Sequence, residues 1–275
     1  MNCRGKQINF GGNTHIMGVL NITPDSFSDG GAYLDLETAI SHAKTMVADG
    51  ATIIDIGGES SRPGAEPVTA KEELDRVLPV IDALVSEKLE TVISIDSSKA
   101  IVAQQALEAG AHIINDITAL QGDTAMAQVT VEMEAGVVLM HMKGTPRTMQ
   151  QAPKYKNVVR EIYAELANWI RNAEHKGIDT DKIIIDPGIG FGKTTEQNIQ
   201  ILKHLDEFKH LNKPLLIGTS RKAFIGNLLD LPVTERVEGT LASVCWSITH
   251  GVDIVRVHDV KAAARAARIT DALYR

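Results

Sequence analysis

Short apolar runs alternate with helix-period segments along almost the whole chain, and this alternation constrains the fold more than any other feature. In the clearest run, three isoleucines at 183–185 precede Asp186 and a glycine-rich turn, which is typical of a buried parallel strand. The same pattern predicts eight strands, at residues 16–20, 52–56, 92–95, 112–114, 137–140, 183–185, 214–217 and 253–257. Helical spacing of apolar residues predicts helices at residues 36–48, 74–85, 101–109, 124–134, 159–173, 235–249 and 260–272.

These alternations are most simply accommodated in a closed parallel sheet. The 275 residues match the roughly 250 residues of a (β/α)8 barrel, the TIM barrel. No Pro/Ser-rich linker and no break in composition interrupts the sequence, so we predict one domain over residues 1–275. The predicted fold class is therefore α/β, a single TIM barrel with its active site at the C-terminal ends of the strands.

The bulk composition narrows the class of function. A net charge of −7 and a pI of about 5.7 argue against a nucleic-acid-binding protein, which usually presents a basic face. The two cysteines, Cys3 and Cys245, are too few for a disulfide framework or a thiolate metal site. The sequence shows no signal-peptide pattern and no apolar run of membrane-spanning length. We therefore predict a cytoplasmic protein with neither a nucleic-acid nor a membrane partner.

Polar and ionisable residues gather where the predicted strands end. This set comprises Asn21, residues 57–62, Asp96, Asn115, His141, Asp186, residues 220–222, Arg256 and His258. The carboxyl ends of barrel strands meet at one face, where such folds keep their active sites. Any one of these residues also suits a structural role, but together they favour a catalytic face.

Three residues of this set offer carboxylate and amide groups. Asp96, Asn115 and Asp186 suit the edge of a flat heterocycle that carries amino and ring N–H donors. The structural alternatives are that Asp96 caps a helix beginning near Ser97 and that Asp186 only caps the glycine-rich turn. The sequence alone leaves both interpretations open.

A second group is cationic and indicates an anion site. Its members are Arg62, Arg221, Lys222, Arg256 and His258. Residues 220–222 lie where the seventh strand leads into a helix, and helix N-termini and the last two loops of TIM barrels bind phosphate readily. The alternative, solvated surface charge, suits Arg221 better than the cations that flank apolar runs. Ser220 has two cations and no evident base beside it, so we interpret it as an anion contact.

No spacing of metal ligands is present in the sequence. If a metal takes part, we expect Mg²⁺ held mostly by substrate phosphates and by one protein oxygen, because this ion prefers that mode of binding. Asn21, at the end of the first strand, is the candidate for that oxygen.

Several long motifs, in order along the chain, carry a family resemblance. They are 21–31 (NITPDSFSDGG), 57–65 (GGESSRPGA), 115–117 (NDI), 140–142 (MHM), 186–188 (DPG), 218–222 (GTSRK) and 256–260 (RVHDV). Together they resemble the dihydropteroate synthases, and the resemblance spans essentially the whole chain. It implies a pterin-binding TIM barrel, commonly a homodimer, that uses Mg²⁺ and is a target of sulfonamides. The implied reaction joins 4-aminobenzoate to (7,8-dihydropterin-6-yl)methyl diphosphate, giving 7,8-dihydropteroate and diphosphate in folate synthesis.

The resemblance also implies roles for individual residues. Those carried over to the pterin are Asp96, Asn115, Met140, Asp186, Phe191, Gly218, Lys222 and Arg256. Those carried over to the diphosphate are Asn21, Ser61, Arg62, Arg256 and His258, with Asn21 also facing Mg²⁺. Those carried over to 4-aminobenzoate are Phe27, Ser61, Arg62, Pro63, Ser220 and Lys222. Among all of these, Asp96, Lys222 and Arg256 are the predicted catalytic residues.

The sequence departs from the usual family pattern at three positions. Ser61 and Ser97 stand where threonine is common, and Ile189 replaces a frequent phenylalanine. Ser61 keeps the hydroxyl group, but serine lacks the β-branch that stiffens a threonine.

Other functions remain open at this point. The nearest is another pterin-binding barrel, such as a methyltetrahydrofolate–corrinoid methyltransferase, which would share Asp96, Asn115 and Asp186 but has no use for an anion site at 220–222. A barrel that serves only as a scaffold, and a sugar-phosphate aldolase or isomerase, are two further classes. The last would need a lysine inside a strand or a Glu/His pair, and neither is evident.

Overall fold

The structure is a computed structural model, and it describes residues 1–22, 32–60, 64–149 and 153–275. Its strands, in chain order, are β1 (Asn2–Cys3), β2 (Lys6–Gln7), β3 (His15–Asn21), β4 (Ile53–Gly57), β5 (Val92–Asp96), β6 (Ile113–Asp116), β7 (Gly136–Met140), β8 (Ile183–Asp186), β9 (Leu216–Ile217) and β10 (Ile254–Val257). Its α-helices are α1 (Ala32–Ala48), α2 (Ala70–Ser86), α3 (Ala100–Glu108), α4 (Met126–Glu132), α5 (Val158–His175), α6 (Thr195–Lys203), α7 (Leu205–Phe208), α8 (Ala223–Leu229), α9 (Val237–Thr249) and α10 (Val260–Tyr274).

Eight of the described strands form one parallel sheet. Their order is β8-β7-β6-β5-β4-β3-β10-β9. A bridge between Ile185 and Leu215, with the Ile185 N–H donating to Pro214 O at 3.0 Å, brings the two outer strands together. The sheet therefore closes into the TIM barrel that the strand–helix alternation predicts.

Most element boundaries agree with the sequence prediction, but three differences have clear causes. The sequence prediction lacks helix α6, because this helix is short and its apolar residues follow the helical period only weakly. Its capping box was the missed signal, since the Thr194 side chain accepts the Gln197 N–H and Gln197 reaches back to the Thr194 N–H. A second capping box, formed by Thr69 and Glu72, starts α2 four residues earlier than predicted. The short hairpin of β1 and β2 was also missed, because two-residue strands carry almost no periodic signal.

An apolar floor closes the amino-terminal end of the barrel. It takes one inward-facing residue from each barrel strand, namely Met17, Ile53, Val92, Ile113, Val138, Ile184, Leu216 and Ile254. Cys3 and Ile8, from the N-terminal segment, pack against this layer, and a Cβ on Gly136 would come within 2.7 Å of the Cys3 sulfur. A larger apolar layer fills the space between the strands and the surrounding helices.

The next inward-facing layer is mostly polar. Because side chains alternate across a strand, the residues two positions beyond the floor face inward again. They are Val19, Asp55, Ser94, Asn115, Met140, Asp186, Gly218 and Arg256. The fold thus places its polar groups above a dry floor, at the carboxyl ends of the strands. Within the described part of the chain, no helix has both the length and the apolar character needed to cross a membrane.

Candidate active site

The Arg256 guanidinium lies at the centre of the barrel mouth, between two carboxylates. Its Nε donates to Asp55 Oδ2 at 2.6 Å and its Nη2 donates to Asp96 Oδ2 at 2.7 Å. Asn115 Nδ2 donates to the same Asp55 oxygen at 2.9 Å. These four side chains come from β10, β4, β5 and β6, so one network joins half of the barrel strands. Asp55 Oδ1, fully buried, has no hydrogen-bond partner among the described residues and remains an available acceptor.

Two carboxyl groups of the site have pKa values near neutrality. Burial raises the pKa of Asp96 to about 7; the positive charge of Arg256 opposes the shift and the negative charge of Asp55 adds to it. Burial likewise raises the pKa of Asp186 to about 6, against the opposing effect of the Gly188 N–H, which donates to Asp186 Oδ1 at 2.7 Å. Both groups therefore bind or release a proton with little energetic cost near pH 7, which suits recognition of a ligand that carries both donors and acceptors.

The glycine-rich turn after β8 has a backbone that only glycine adopts without strain. Gly188, Gly190 and Gly192 all have positive φ, and a Cβ on Gly188 would overlap the carbonyl oxygen of His141. The turn carries Phe191 to the site, where Lys222 Nζ lies 4.2 Å from the centre of its ring. A Cβ on Gly190 would approach Lys222 Cδ to 3.1 Å, so the turn and the lysine fit closely.

The basic side chains of the site differ in their charge at neutral pH. Burial and the neighbouring Arg256 lower the pKa of Lys222 to about 8, so this ammonium is mostly protonated at pH 7. Burial, and then Arg256, lower the pKa of His258 to about 4, so its ring is neutral in the free protein. Its Nδ1 lies 3.0 Å from Ser220 Oγ, which also accepts the His258 backbone N–H at 3.2 Å. An anion bound beside His258 would favour protonation of the ring.

Arg221 does not join the anion site. Its guanidinium forms two hydrogen bonds to Asp259, Nε to Oδ2 at 3.0 Å and Nη2 to Oδ1 at 2.6 Å. In this conformation Arg221 is therefore paired with Asp259, and with 37% of its side chain exposed it matches the alternative interpretation of surface charge. Lys222 and Arg256 remain as the described cations of the site, with the neutral His258 ring beside them.

Asn21 lies at the end of β3, beside Gly57 and Asp96. In the sheet register Asn21 pairs with Gly57, and Gly57 pairs with Asp96. The Asn21 Oδ1 and Asp96 Oδ2 atoms lie 3.7 and 3.8 Å from the position that a Cβ on Gly57 would occupy. Across the described ranges, no cluster of three or more His, Cys, Asp or Glu side chains is suited to hold a metal ion. The Asn21 amide oxygen is a hard oxygen donor of the kind that Mg²⁺ binds.

The alternative interpretation of Asp96 and Asp186 was that each only caps a helix or a turn, and the structure answers this differently for the two residues. Asp96 does not cap α3, because the Ala100 N–H at the start of this helix donates to Asp123 Oδ2 at 2.9 Å. Asp186 does cap the glycine-rich turn, through the Gly188 N–H, while it also belongs to the inward-facing polar layer. Met140 and Gly218 lie in that same layer.

Four predicted site residues lie outside the part of the chain that the structure describes: Phe27, Ser61, Arg62 and Pro63. Two residues of the site were missed in the sequence. One is Asp55, which lies inside the predicted strand at 52–56. Its spacing of two from the inward-facing Ile53 is a sufficient signal that its side chain also faces inward. The other is Lys193, whose ammonium is buried behind the glycine-rich turn.

The comparisons with known proteins agree with this geometry. The family model described as pterin binding enzyme matches residues 17–258. The dihydropteroate synthase of Synechocystis is 51% identical over 267 residues, which is 97% of this chain and 92% of that protein. This chain belongs to the dihydropteroate synthase family. The family predicted from the motifs is therefore confirmed.

Solved dihydropteroate synthase structures match the fold closely. The Yersinia pestis dihydropteroate synthase, in complex with a sulfonamide drug, has a TM-score of 0.93 at 43% identity, with 99% of this chain and 98% of that chain covered. The Xanthomonas albilineans dihydropteroate synthase, in complex with 7,8-dihydropteroate, has a TM-score of 0.89 at 38% identity, covering 98% of this chain and 97% of that one. The family consists of transferases of folate synthesis, which confirms the class of enzyme expected from the sequence.

The Asp55 network leads to a first prediction. Replacing Asp55 by Asn removes a negative charge beside Asp96 and leaves Arg256 with Asp96 as its remaining anionic hydrogen-bond partner. Asp55 raises the pKa of Asp96 and Arg256 lowers it, so both changes should move the Asp96 pKa down from about 7. We expect this fall in ¹³C NMR titration of the aspartate carboxyl groups.

The matched control is Asp253→Asn, a partly buried acid at the amino-terminal end of the barrel whose Oδ2 accepts the Leu215 N–H at 2.9 Å. It should leave the Asp96 titration unchanged. An Asp96 pKa that stays the same or rises in the Asp55→Asn variant would contradict the account of the network.

Proposed function

We propose that this site joins 4-aminobenzoate to the methylene carbon of (7,8-dihydropterin-6-yl)methyl diphosphate, through the residues of the polar layer together with Asp96 and Lys222. One observation supports the proposal above all. The acceptor groups Asp96, Asn115 and Asp186 share a single barrel mouth with the cations Lys222 and Arg256. This is the pairing that a flat pterin with an anionic tail requires.

The proposed path is dissociative. The bond between the methylene carbon and the diphosphate oxygen breaks first, and its electron pair leaves with the diphosphate. The amine of 4-aminobenzoate then forms the new carbon–nitrogen bond, and its proton passes to solvent or to the leaving group. Asp96 and Asp186 would stabilise the positive charge that develops on the pterin, while Arg256 and His258 would stabilise the negative charge that develops on the diphosphate.

The aromatic amine is a weak base, so it requires placement more than deprotonation. Ser220 and Lys222 are the described residues assigned to the aminobenzoate. The Lys222 ammonium suits its carboxylate, and the Ser220 hydroxyl is buried beside His258. Phe27, Ser61, Arg62 and Pro63 complete this part of the proposal from the sequence.

The charge arrangement argues against the methyltransferase alternative. Lys222, Arg256 and His258 converge where a methyl transfer between a folate and a corrinoid would present no anion. Arg256 already has two carboxylate partners and the His258 ring is neutral, but burying the Lys222 ammonium with no anion to bind would be unfavourable, because desolvation already lowers its pKa to about 8.

The second prediction concerns Asp186. Asp186→Asn keeps the shape and the acceptor for the Gly188 N–H but removes the charge. We expect kcat/KM for dihydropteroate formation to fall about 100-fold, the usual effect of losing one preorganised electrostatic group. Product is measured by mass spectrometry after incubation with dihydropterin-methyl diphosphate, Mg²⁺ and 4-aminobenzoate. Asp253→Asn is the control, and equal activity in the two variants would count against the proposed role of Asp186.

The third prediction separates the dissociative path from a concerted one. If the carbon–oxygen bond breaks first, labelled diphosphate should exchange into dihydropterin-methyl diphosphate when 4-aminobenzoate is absent. Exchange is followed by radiolabel incorporation into the re-isolated substrate. Exchange that requires 4-aminobenzoate would favour concerted displacement instead.

We propose Mg²⁺ as the cofactor, held mainly by the substrate diphosphate with Asn21 Oδ1 as the protein ligand. The ion would supply Lewis-acid stabilisation of the leaving group, which is worth several kcal/mol in such sites. The support is the position of the Asn21 amide oxygen beside Asp96, together with the chemistry of the diphosphate.

The fourth prediction tests this cofactor. Removal of divalent ions with a chelator should abolish turnover, and added Mg²⁺ should restore it. Asn21→Ala should raise the Mg²⁺ concentration for half-maximal activity at least about tenfold, as loss of a group that orients a metal typically does. The exposed Asn227→Ala serves as control. Full activity of the wild-type protein in excess chelator would refute the metal proposal.

We propose that the protein is a homodimer through the surface formed by α8, α9 and α10. The support is a concentration of exposed large apolar side chains there: Leu228, Leu229, Val233, Trp246, Ile269, Leu273 and Tyr274. The α9 and α10 helices pack against each other, and Gly239 of α9 lies against Ile225 of α8, so these helices are neighbours. Apolar area of this kind is typical of subunit contacts.

The fifth prediction follows from this surface. Light scattering should give a mass about twice the 29.8 kDa of one chain. Ile269→Glu should shift the protein toward monomer, because the charge would be desolvated at the interface. Val131→Glu, on the distant α4, should not. A monomeric wild-type protein would exclude the proposal.

We further propose that the reaction takes place in the cytoplasm. Both cysteines are free thiols, with Cys3 buried under the barrel and Cys245 half-buried on α9. Free thiols are typical of proteins from a reducing compartment.

A further inference from the structure

The ammonium of Lys193 is buried behind the glycine-rich turn, on four hydrogen-bond acceptors. Its Nζ lies 2.8 Å from Gly188 O, 2.8 Å from Phe191 O, 3.2 Å from His141 O and 3.0 Å from His141 Nδ1. The residue is 2% exposed, so it does not meet the substrate in this conformation. Burying a cation is costly unless its hydrogen bonds are fully satisfied, which indicates that this lysine has a specific task.

The carbonyl oxygens that Lys193 binds define the shape of the turn. Gly188 O and Phe191 O begin and end the short loop that carries the Phe191 ring, and His141 O belongs to the neighbouring strand end. A buried carbonyl needs a donor, and one ammonium supplies donors to all three. The turn is thereby drawn against the segment that follows β7.

Both ends of this turn bear on the proposed pterin slot. At its start the Gly188 N–H donates to Asp186 Oδ1 at 2.7 Å. Towards its end the Phe191 ring lies 4.2 Å from Lys222 Nζ. A displacement of the turn would therefore move an acceptor for the pterin edge and a wall of the slot together.

His141 and Glu165 connect the buried ammonium to the surface. With Nδ1 accepting from Lys193, the neutral imidazole carries its proton on Nε2, and burial lowers the His141 pKa in keeping with this neutral form. Nε2 makes no well-aligned hydrogen bond, but it lies 3.2 Å from Glu165 Oε2. The ring is held between Trp169, at 5.6 Å between ring centres, and Tyr155, at 6.2 Å.

We propose that Lys193 is a positioning residue for the reaction: its ammonium holds the Gly188–Gly192 turn closed, and thereby fixes Asp186 and Phe191 for the pterin, with His141 and Glu165 keeping that ammonium in place. This inference rests on the proposed function, because it assigns the turn to the pterin slot. Lys193 would thus act on the reaction through the turn, without touching the substrate.

The protonation of Lys193 depends on the groups that surround it. These are His141, the carboxylates of Glu165 and Asp186, the ammonium of Lys222 and the phenol of Tyr155. Burial lowers the Lys193 pKa to about 7; Asp186 and Glu165 raise it and Lys222 lowers it. The hydrogen bonds to the three carbonyls need the protonated form, so the turn should loosen as the pH rises through about 7 and this proton is lost.

The first test is Lys193→Met, compared with Lys213→Met in steady-state assays of dihydropteroate formation. Lys213 is also a buried lysine, with Nζ 2.7 Å from Thr180 O and 3.0 Å from Glu174 Oε1, but it lies at the amino-terminal end of the barrel. We expect Lys193→Met to lower kcat/KM for dihydropterin-methyl diphosphate at least tenfold, mainly through KM, and Lys213→Met to leave KM unchanged. A soluble Lys193→Met protein with the wild-type KM would overturn the proposal.

Glu165→Gln gives a second test that does not depend on removing the buried lysine, since the Glu165 side chain is 45% exposed. The negative charge of Glu165 raises the pKa of Lys193, so its loss should lower that pKa further. The alkaline fall in kcat/KM should then begin at lower pH than in the wild type. An alkaline limb that does not move would contradict the inference.

The outcomes also distinguish this inference from the proposed function. A wild-type protein that forms no dihydropteroate would refute the proposed function itself. An active wild type, with Lys193→Met equal to it and Glu165→Gln unshifted, would refute only the role of Lys193.

Discussion

The ion pairs of Arg256 with Asp55 and Asp96 are the interaction on which the rest of the site depends. They join β10 to β4 and β5 across the mouth of the barrel, and Asn115 extends the network to β6. In this buried position the attraction between the groups is strong, and removing one partner of such a pair typically destabilises a protein by about 3–5 kcal/mol. Burial is the main reason that the pKa of Asp96 rises to about 7; Arg256 opposes this shift and the negative charge of Asp55 adds to it, so the site is prepared for a ligand with donors on its edge.

Much of this arrangement follows from the period of the strands. Isoleucine, valine, leucine and methionine at one inward position of each strand form the floor, and the polar residues two positions later form the site. The sequence therefore predicted Asn115, Asp186 and Arg256 from where their strands end. The same rule applied within β4 would have found Asp55, whose spacing from Ile53 already places it in the polar layer. Asp55 lies inside its strand, so a pattern of polar strand ends does not include it.

Other features of the site cannot be predicted from the local sequence pattern. The burial of Lys193 depends on the carbonyls of its own turn and on His141, 52 positions earlier, which meets the turn only in the folded barrel, so no local spacing indicates it. The pairing of Arg221 with Asp259 brings together residues 38 positions apart, and it removes a cation that the sequence pattern assigned to the anion site. The aminobenzoate side of the site rests mainly on motif resemblance, since Phe27, Ser61, Arg62 and Pro63 lie outside the described residues.

A crystal structure of this protein with bound 7,8-dihydropteroate would test the central claim most directly, namely that Asp96 and the polar layer together bind one flat ring from several strands. The account predicts that the pterin edge lies within hydrogen-bonding distance, roughly 2.7–3.2 Å, of Asp96, Asn115 and Asp186, while Arg256 keeps its contact with Asp55. A pterin bound away from these three side chains, or one whose polar edge faces solvent, would contradict it.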